Sequence, residues 1–331
     1  MRFAAAYVII SSGLPFASTG AQEGCPAPTG TFVATEGARL HVIDWGGSGE
    51  PIIFLSGLFG SAHTFDEFAP LFTDRHRSIG ITRRGIPPSD TSGANYSAAH
   101  LTADILTVMD SLRISAAHVV GWSFGGNEAT LLAVAKPQRV LSLTLLDSYD
   151  RAARRRAADP LRTLTPPPFL PFDSSSPLAL QWREQRLGNR PPPLSFTCTS
   201  NKFTDDGRYI GSVVSAPLRD SIAAAMRKGM PPLPYSDVRQ PVLAVFAVPR
   251  AVADRYPAYA AMSPRDREVA NALFTVAALD MTSARDRMRR DIPHAHVIGI
   301  LGAAHDIFRS HPEAVFMEMR KFLAVLPKKG P

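Results

Sequence analysis

The stretch Val-Val-Gly-Trp-Ser-Phe-Gly-Gly-Asn-Glu-Ala, residues 119–129, sets one serine between Gly121 and Gly125. Ahead of it "AAHVV" is apolar and β-branched, as a buried strand is; behind it "NEATLLAVAK" is rich in alanine and leucine, as a helix is. A strand that passes directly into a helix needs a sharp bend at Ser123, and the flanking glycines let backbones approach where a Cβ would collide. The hydroxyl then projects past the end of the strand, and the first amides of the helix point at the same spot. An ordinary glycine turn is the competing reading of so short a pattern. The strand before and the helix after favour a nucleophile held on a strained bend.

A serine hydroxyl is a weak nucleophile at neutral pH, so it needs a general base within hydrogen-bond reach and a carboxylate to orient that base. Among the nine histidines, His305 in "ILGAAHDIF" follows an apolar, strand-like run and precedes the last helical segment. A loop at that place returns the imidazole to the sheet edge that carries Ser123. His294 and His296 precede or belong to the strand, and His311 begins the closing helix, so these read as structural or solvated; His63 and His100 receive no role. Negative charge developing on a substrate oxygen calls for backbone N–H donors. Phe124, next after the serine, supplies one, and Leu58, in the turn Ser56-Gly57-Leu58-Phe59-Gly60 after "PIIFL", supplies the other.

Working outward, "TFVAT" and "LHVIDW" alternate as paired strands, "PIIFL" is a continuous buried strand, "HTFDEFAPLF" reads as a helix and "RSIGIT" as a strand. "AAHLTADILTVMDSLRI" is an amphipathic helix, with Leu101, Ile105, Val108 and Leu112 on one face, and "VLSLTLLD" follows the serine helix as another strand. This alternation predicts an α/β fold: a mostly parallel central sheet of about eight strands with helices on both faces. From Tyr149 the alternation stops. Residues 150–239 hold 13 of the chain's 29 prolines, including Pro166 to Pro168 and Pro191 to Pro193, which exclude regular strands and long helices. Short helices at "PLALQWREQRL" and "APLRDSIAAAMRKG" make the segment a proline-rich, largely helical cap, in which Phe169, Phe172, Trp182 and Tyr209 either line an apolar pocket or pack the cap itself. "PVLAVFAV", a helix near "ARDRMRRD", "AHVIGIL" and the helix "PEAVFMEMRKFLAVL" complete the sheet. The expected division is a signal peptide at 1–21, core at 22–149, cap at 150–239 and core again at 240–331.

Arg2, an apolar run and Thr19-Gly20-Ala21 together fit a secretory leader cleaved near Ala21, which predicts a periplasmic or secreted protein. The run is too short, and too broken by Ser11, Ser12, Gly13 and Pro15, for stable membrane insertion. Cys25 and Cys198 are the only cysteines; an oxidising compartment permits their pairing, which the spacing leaves open. No clustered ligand pattern calls for a metal, and no cofactor is expected. The net charge of +7 is concentrated in residues 150–239, with 14 Lys and Arg, among them Arg151, Arg154, Arg155 and Arg156, against 8 Asp and Glu. No nucleic-acid-binding module accompanies them, so a solvated face is read and no nucleic-acid partner is expected. No pattern specifies an oligomeric state.

On these residues the chain resembles the α/β-hydrolase superfamily over nearly all of residues 30–327 outside the cap. "LSGLFGS" resembles the family's His-Gly oxyanion loop with serine for histidine. "ITRRGIPPSD" resembles its Asp-x-Arg-Gly-x-Gly-x-Ser segment, with Thr82 for the usual Asp and Pro87-Pro88 for the glycine turn, a change expected to stiffen the loop without touching the chemistry. The resemblance implies an acid at the end of "PVLAVFAV", where this chain has Arg250. Asp147, ending "LTLLD" on the preceding strand, is the preferred acid, since some relatives, including haloalkane dehalogenases, carry theirs there; Asp254 is the alternative and Asp150 a third. Epoxide hydrolases and dehalogenases carry an aspartate nucleophile at the bend, and Ser123 argues against both chemistries. What the resemblance implies is a serine hydrolase cleaving a small-molecule carboxylic ester or lactone by Ser-His-Asp acyl transfer. An aminopeptidase or amidase with the same triad, or a non-catalytic ligand-binding protein on the same fold, is the alternative.

Overall fold

Alternating apolar residues in the strands supply two buried faces, and the chain covers both. The computed structural model describes residues 29–91, 95–149, 194–203, 209–255 and 259–327. Its strands are β1 (Thr31–Thr35), β2 (Ala38–Gly46), β3 (Ile52–Leu55), β4 (Ser78–Ile81), β5 (Ala117–Trp122), β6 (Val140–Leu146), β7 (Asn201–Phe203), β8 (Tyr209–Ser212), β9 (Val242–Val248) and β10 (His296–Leu301). Eight of them form one sheet in the order β1-β2-β4-β3-β5-β6-β9-β10. The β1–β2 and β2–β4 pairings are antiparallel, and every other pairing in this sheet is parallel. The helices are α1 (Ala98–Ser111), α2 (Phe124–Ala135), α3 (Leu194–Ser200), α4 (Ala216–Gly229), α5 (Val252–Arg255), α6 (Pro264–Asp291), α7 (Ile307–Ser310) and α8 (Pro312–Ala324).

On one face Ile53, Leu55, Val119, Leu143, Leu145 and Phe246 pack under α1, α2 and the end of α6. On the other, Ile52, Phe54, Val120, Leu146 and Val245 pack against α8 and a cluster of phenylalanines at 65, 68, 72 and 308. Each such side chain, fully buried, stabilises the fold by ~1.5–3 kcal/mol. Arg84 is buried in this framework: its Nε and Nη2 donate to Asp104 of α1, both at 2.6 Å, and Nη2 also donates to the Glu36 carbonyl at 2.9 Å. The guanidinium thereby ties the β1–β2 turn to α1.

The alternation of strand and helix is as expected, with two local differences. "HTFDEFAPLF" forms two single 3₁₀ turns, Ala62–Phe65 and Ala69–Phe72, because Pro70 has no amide to continue a helix begun before it. The region expected to be a largely helical cap also contains an antiparallel pair, β7 with β8. That hairpin falls in a stretch, residues 194–216, that contains no proline, so the exclusion that holds for the proline runs does not reach it. The leader with Ala21, Cys25, Asp150, Arg151, Arg154 to Arg156, the helix at "PLALQWREQRL", and Phe169, Phe172 and Trp182 lie outside the described residues, as does the side chain of Tyr209. Cys198, on α3, is disulfide-bonded. Among the described residues no helix is long and apolar enough to cross a membrane.

Candidate active site

Parallel strands end together, so loops from distant parts of the chain meet at one edge. Trp122, the last residue of β5, is level with Leu146, the last of β6, which places Ser123 and Asp147 side by side, one step past adjacent strand ends. Both have left-handed backbone, with φ of 53° at Ser123 and 43° at Asp147. For a serine this is an uncommon conformation that the surroundings must impose. The Ser123 amide donates to the Leu146 carbonyl at 3.0 Å, and the Ser148 hydroxyl donates to the Ser123 carbonyl at 2.6 Å. The glycines answer the crowding: a Cβ on Gly125 would lie 2.2 Å from the Leu55 carbonyl oxygen, and one on Gly126 would lie 2.2 Å from Ser148 Oγ.

The structure brings His305 to this pair. Its Nε2 is 3.0 Å from Ser123 Oγ and its Nδ1 is 2.5 Å from Asp147 Oδ2. The second carboxylate oxygen, Oδ1, accepts the Ala247 amide at 3.1 Å, so Asp147, only 4% exposed, is fixed at both ends, while the imidazole remains 37% exposed. Trp122 secures the ring from beside it. Its indole lies 5.3 Å from the imidazole, centroid to centroid, and its Nε1 donates to the His305 carbonyl at 2.8 Å. Asp254 is occupied elsewhere: its carboxylate accepts the amides of Arg250 and Ala251 at 2.7 and 3.1 Å. Partial desolvation would raise its pKa, but those amides and the Arg250 charge hold it below the ordinary carboxylate value. The two aspartates weighed from the sequence thus separate, one against the imidazole and one within α5, bonded to the turn before it.

Phe124 is the first residue of α2, so its amide has no carbonyl within the helix to bond. The Leu58 and Phe124 side chains pack against one apolar cluster, Tyr96 with the buried Ile222 and Met226 of α4. The turn that holds Leu58 rests on Arg83, whose guanidinium donates to the carbonyls of Ser56, Gly57 and Leu58 at 2.8, 3.0 and 3.2 Å. Arg83 also pairs side-on with Glu128 of α2, at 2.6 and 2.5 Å, and lies over the Phe124 ring at 4.9 Å. Burial raises the Glu128 carboxyl above its ordinary pKa, with the Arg83 charge acting in the opposite direction.

Of the remaining histidines, His63 is buried with Nδ1 2.8 Å from Asp66, and His294 Nε2 bonds the Gln240 carbonyl at 3.0 Å. Among the described residues no group of three or more His, Cys, Asp or Glu side chains could hold a metal ion. Four neighbours of the site were not anticipated from the sequence: Arg83, Trp122, Glu128 and Ser148. Glu128 carried a signal, since it lies one turn from the buried Leu132 as the one charged residue of α2, where a charge requires a buried partner.

A sequence profile of the alpha/beta hydrolase fold matches residues 50–168. The protein named "Putative carbamate hydrolase RutD" of Caulobacter segnis is 34% identical over 131 residues, 37% of this chain and 46% of that protein. An esterase of Mycobacterium tuberculosis is 29% identical over 136 residues, 41% of this chain and 45% of that protein. The chain therefore spans less than half the length of these relatives. The solved structure of E-2-(acetamidomethylene)succinate hydrolase matches with a TM-score of 0.61 at 21% identity, over 87% of this chain and 96% of that one, a likeness of fold. Its strand order, the bend between β5 and α2 and a profile match running from before β3 past β6 give the chain the fold of the α/β hydrolases.

Proposed function

We propose that this protein is a serine hydrolase that cleaves a carboxylic ester or lactone by two-step acyl transfer. Ser123 Oγ attacks the substrate carbonyl carbon while His305 Nε2 takes the hydroxyl proton, and Asp147 holds the Nδ1 proton and the resulting imidazolium. The carbonyl oxygen, now negative, accepts the amides of Phe124 and Leu58. His305 returns the proton to the leaving oxygen as the ester C–O bond breaks. A water deprotonated by the same imidazole then attacks the acyl-serine, and its proton passes back to Ser123. The observation that carries this reading is the continuous chain of contacts from Ser123 Oγ through both imidazole nitrogens to Asp147, at 3.0 and 2.5 Å, on a bend that holds the serine at positive φ.

Similarity to a protein named as a carbamate hydrolase supports a second reading, cleavage of a C–N bond by the same residues. Chromogenic esters of graded acyl length, run beside lactones and amino-acid amides, separate the two. Turnover of esters or lactones that Ser123→Ala abolishes is expected; preference for amides moves the assignment to the second reading. Turnover of none of the three, or activity surviving in Ser123→Ala, overturns both. Action outside the cytoplasm is part of the proposal, supported by the disulfide at Cys198. Secreted protein whose N-terminal sequence begins near Gln22 is the expected result, and an intact cytoplasmic chain the contrary one.

A further inference from the structure

We infer that Arg83 and Glu128 form a clamp that aims the Leu58 amide at the substrate oxygen, which makes Arg83 a positioning residue; this rests on the reading of Ser123 as the nucleophile. A buried ion pair adds little stability over well-packed apolar side chains of similar volume. Yet this one is buried on both sides, Arg83 at 6% and Glu128 at 5% exposure. Its geometry supplies a reason. All five guanidinium N–H groups are used: Nε and one on Nη2 donate to the Glu128 carboxylate, the other on Nη2 donates to Ser56 O, and the two on Nη1 donate to Gly57 O and Leu58 O.

Three successive carbonyls of the turn after β3 therefore point at one cation. A trans peptide is planar, with its C=O and N–H on opposite sides. Holding Gly57 O against Arg83 thus turns the Leu58 N–H the other way, and holding Leu58 O does the same for the next amide. The clamp also fixes the spacing of the two donors, because Glu128 stands on α2, whose first residue, Phe124, supplies the second amide and lies under the guanidinium face. Lysine, with three donors and no planar fork, cannot hold the carboxylate and three carbonyls at once.

The test compares wild type with Arg83→Met, Arg83→Lys and the double variant Arg83→Met/Glu128→Met. Four quantities are read: Tm, kcat and KM on the best ester of the panel, and amide hydrogen exchange in the segment 55–61. Arg83→Met orphans a buried carboxylate, so Tm falls; the double variant removes both charges and regains most of that loss. The clamp predicts that both variants lose exchange protection in residues 55–61, and that kcat falls about 100-fold with KM within about threefold. Arg83→Lys should recover little of the rate. Recovery of kcat together with Tm in the double variant would reduce the pair to a structural role and overturn the inference. So would wild-type exchange at 55–61 in either Met variant. Should wild type hydrolyse none of the panel, the serine-hydrolase reading fails, while the exchange measurement still decides whether the clamp holds the turn.

Discussion

Replacing Asp147 with asparagine isolates the electrostatic part of the site, because asparagine has nearly the same shape and tolerates the left-handed backbone found there. The carboxylate now faces two donors, the Ala247 amide at 3.1 Å and the His305 Nδ1–H at 2.5 Å. An amide side chain has one acceptor oxygen and one donor nitrogen, so it can satisfy only one of them. The Ala247 N–H can never accept, and it therefore claims the oxygen. The new NH₂ group then faces Nδ1, which has to accept, and the imidazole proton moves to Nε2, opposite Ser123 Oγ 3.0 Å away. In that tautomer the imidazole cannot take the serine proton. The cost expected for a wrong tautomer is about 10³–10⁴ in kcat, or ~4–5.5 kcal/mol of barrier. Steady-state hydrolysis of a chromogenic ester, with thermal melts to show that the variant folds, measures it. Asp254→Asn is the control: its carboxylate binds the amides of Arg250 and Ala251, and kcat should stay within about threefold. A folded Asp147→Asn retaining more than a tenth of the wild-type kcat, or an equal loss in Asp254→Asn, would refute the reasoning.

Other consequences follow from contacts around the site. Gly125→Ala puts a methyl group 2.2 Å from Leu55 O and 2.6 Å from Leu55 C, both backbone atoms of β3 that cannot swing aside; a loss of about 3 kcal/mol in urea unfolding is expected, and a neutral result would contradict the packing described. Trp122→Phe keeps an aromatic ring beside His305 but deletes the N–H donated to its carbonyl. Stability should fall by ~1 kcal/mol and kcat by roughly tenfold as the imidazole loses its fixed position; an unchanged kcat would mean the loop is held by other contacts. Burial lowers the His41 imidazole from 6.5 to about 4, against the opposing bond to the Thr29 carbonyl. Between those values the unfolded chain binds a proton that the folded chain does not, so this contribution is complete above pH 6.5 and lost as pH falls through about 4. It amounts to ~3 kcal/mol, and His41→Gln should flatten the acid side of the stability profile by about that much; an identical slope in the variant would assign the acid loss to other groups.

The strand–serine–helix bend was legible because everything that forces it lies within residues 119–129: the β-branched run, the spaced glycines and the alanine-rich helix. His305 was legible for a similar reason, since a loop after the last apolar strand has one edge of the sheet to return to. Which of Asp147 and Asp254 lies against His305 needed the third dimension. Both follow neighbouring parallel strands, β6 and β9, and what separates them is the Asp147 backbone turned to positive φ and the Ala247 amide that anchors its second oxygen. Arg83 stood in a quoted motif without a role because its partner is 45 positions along the chain and its other partners are carbonyls, which carry no side-chain signature. The segment "HTFDEFAPLF" reads as a helix in the sequence. Burial of Phe65, Phe68 and Phe72 against Phe54 and Phe308 is real, but two short 3₁₀ turns achieve it around Pro70.

The central claim is that the fold raises the Ser123 hydroxyl against an imidazole ready to take its proton. A fluorophosphonate probe, followed by peptide mass mapping of the modified protein, tests that most directly. The account predicts one phosphonyl group per chain, located on Ser123, absent in Ser123→Ala and added far more slowly in Asp147→Asn. Folded protein that stays unlabelled, or that carries the label on another residue, would contradict it.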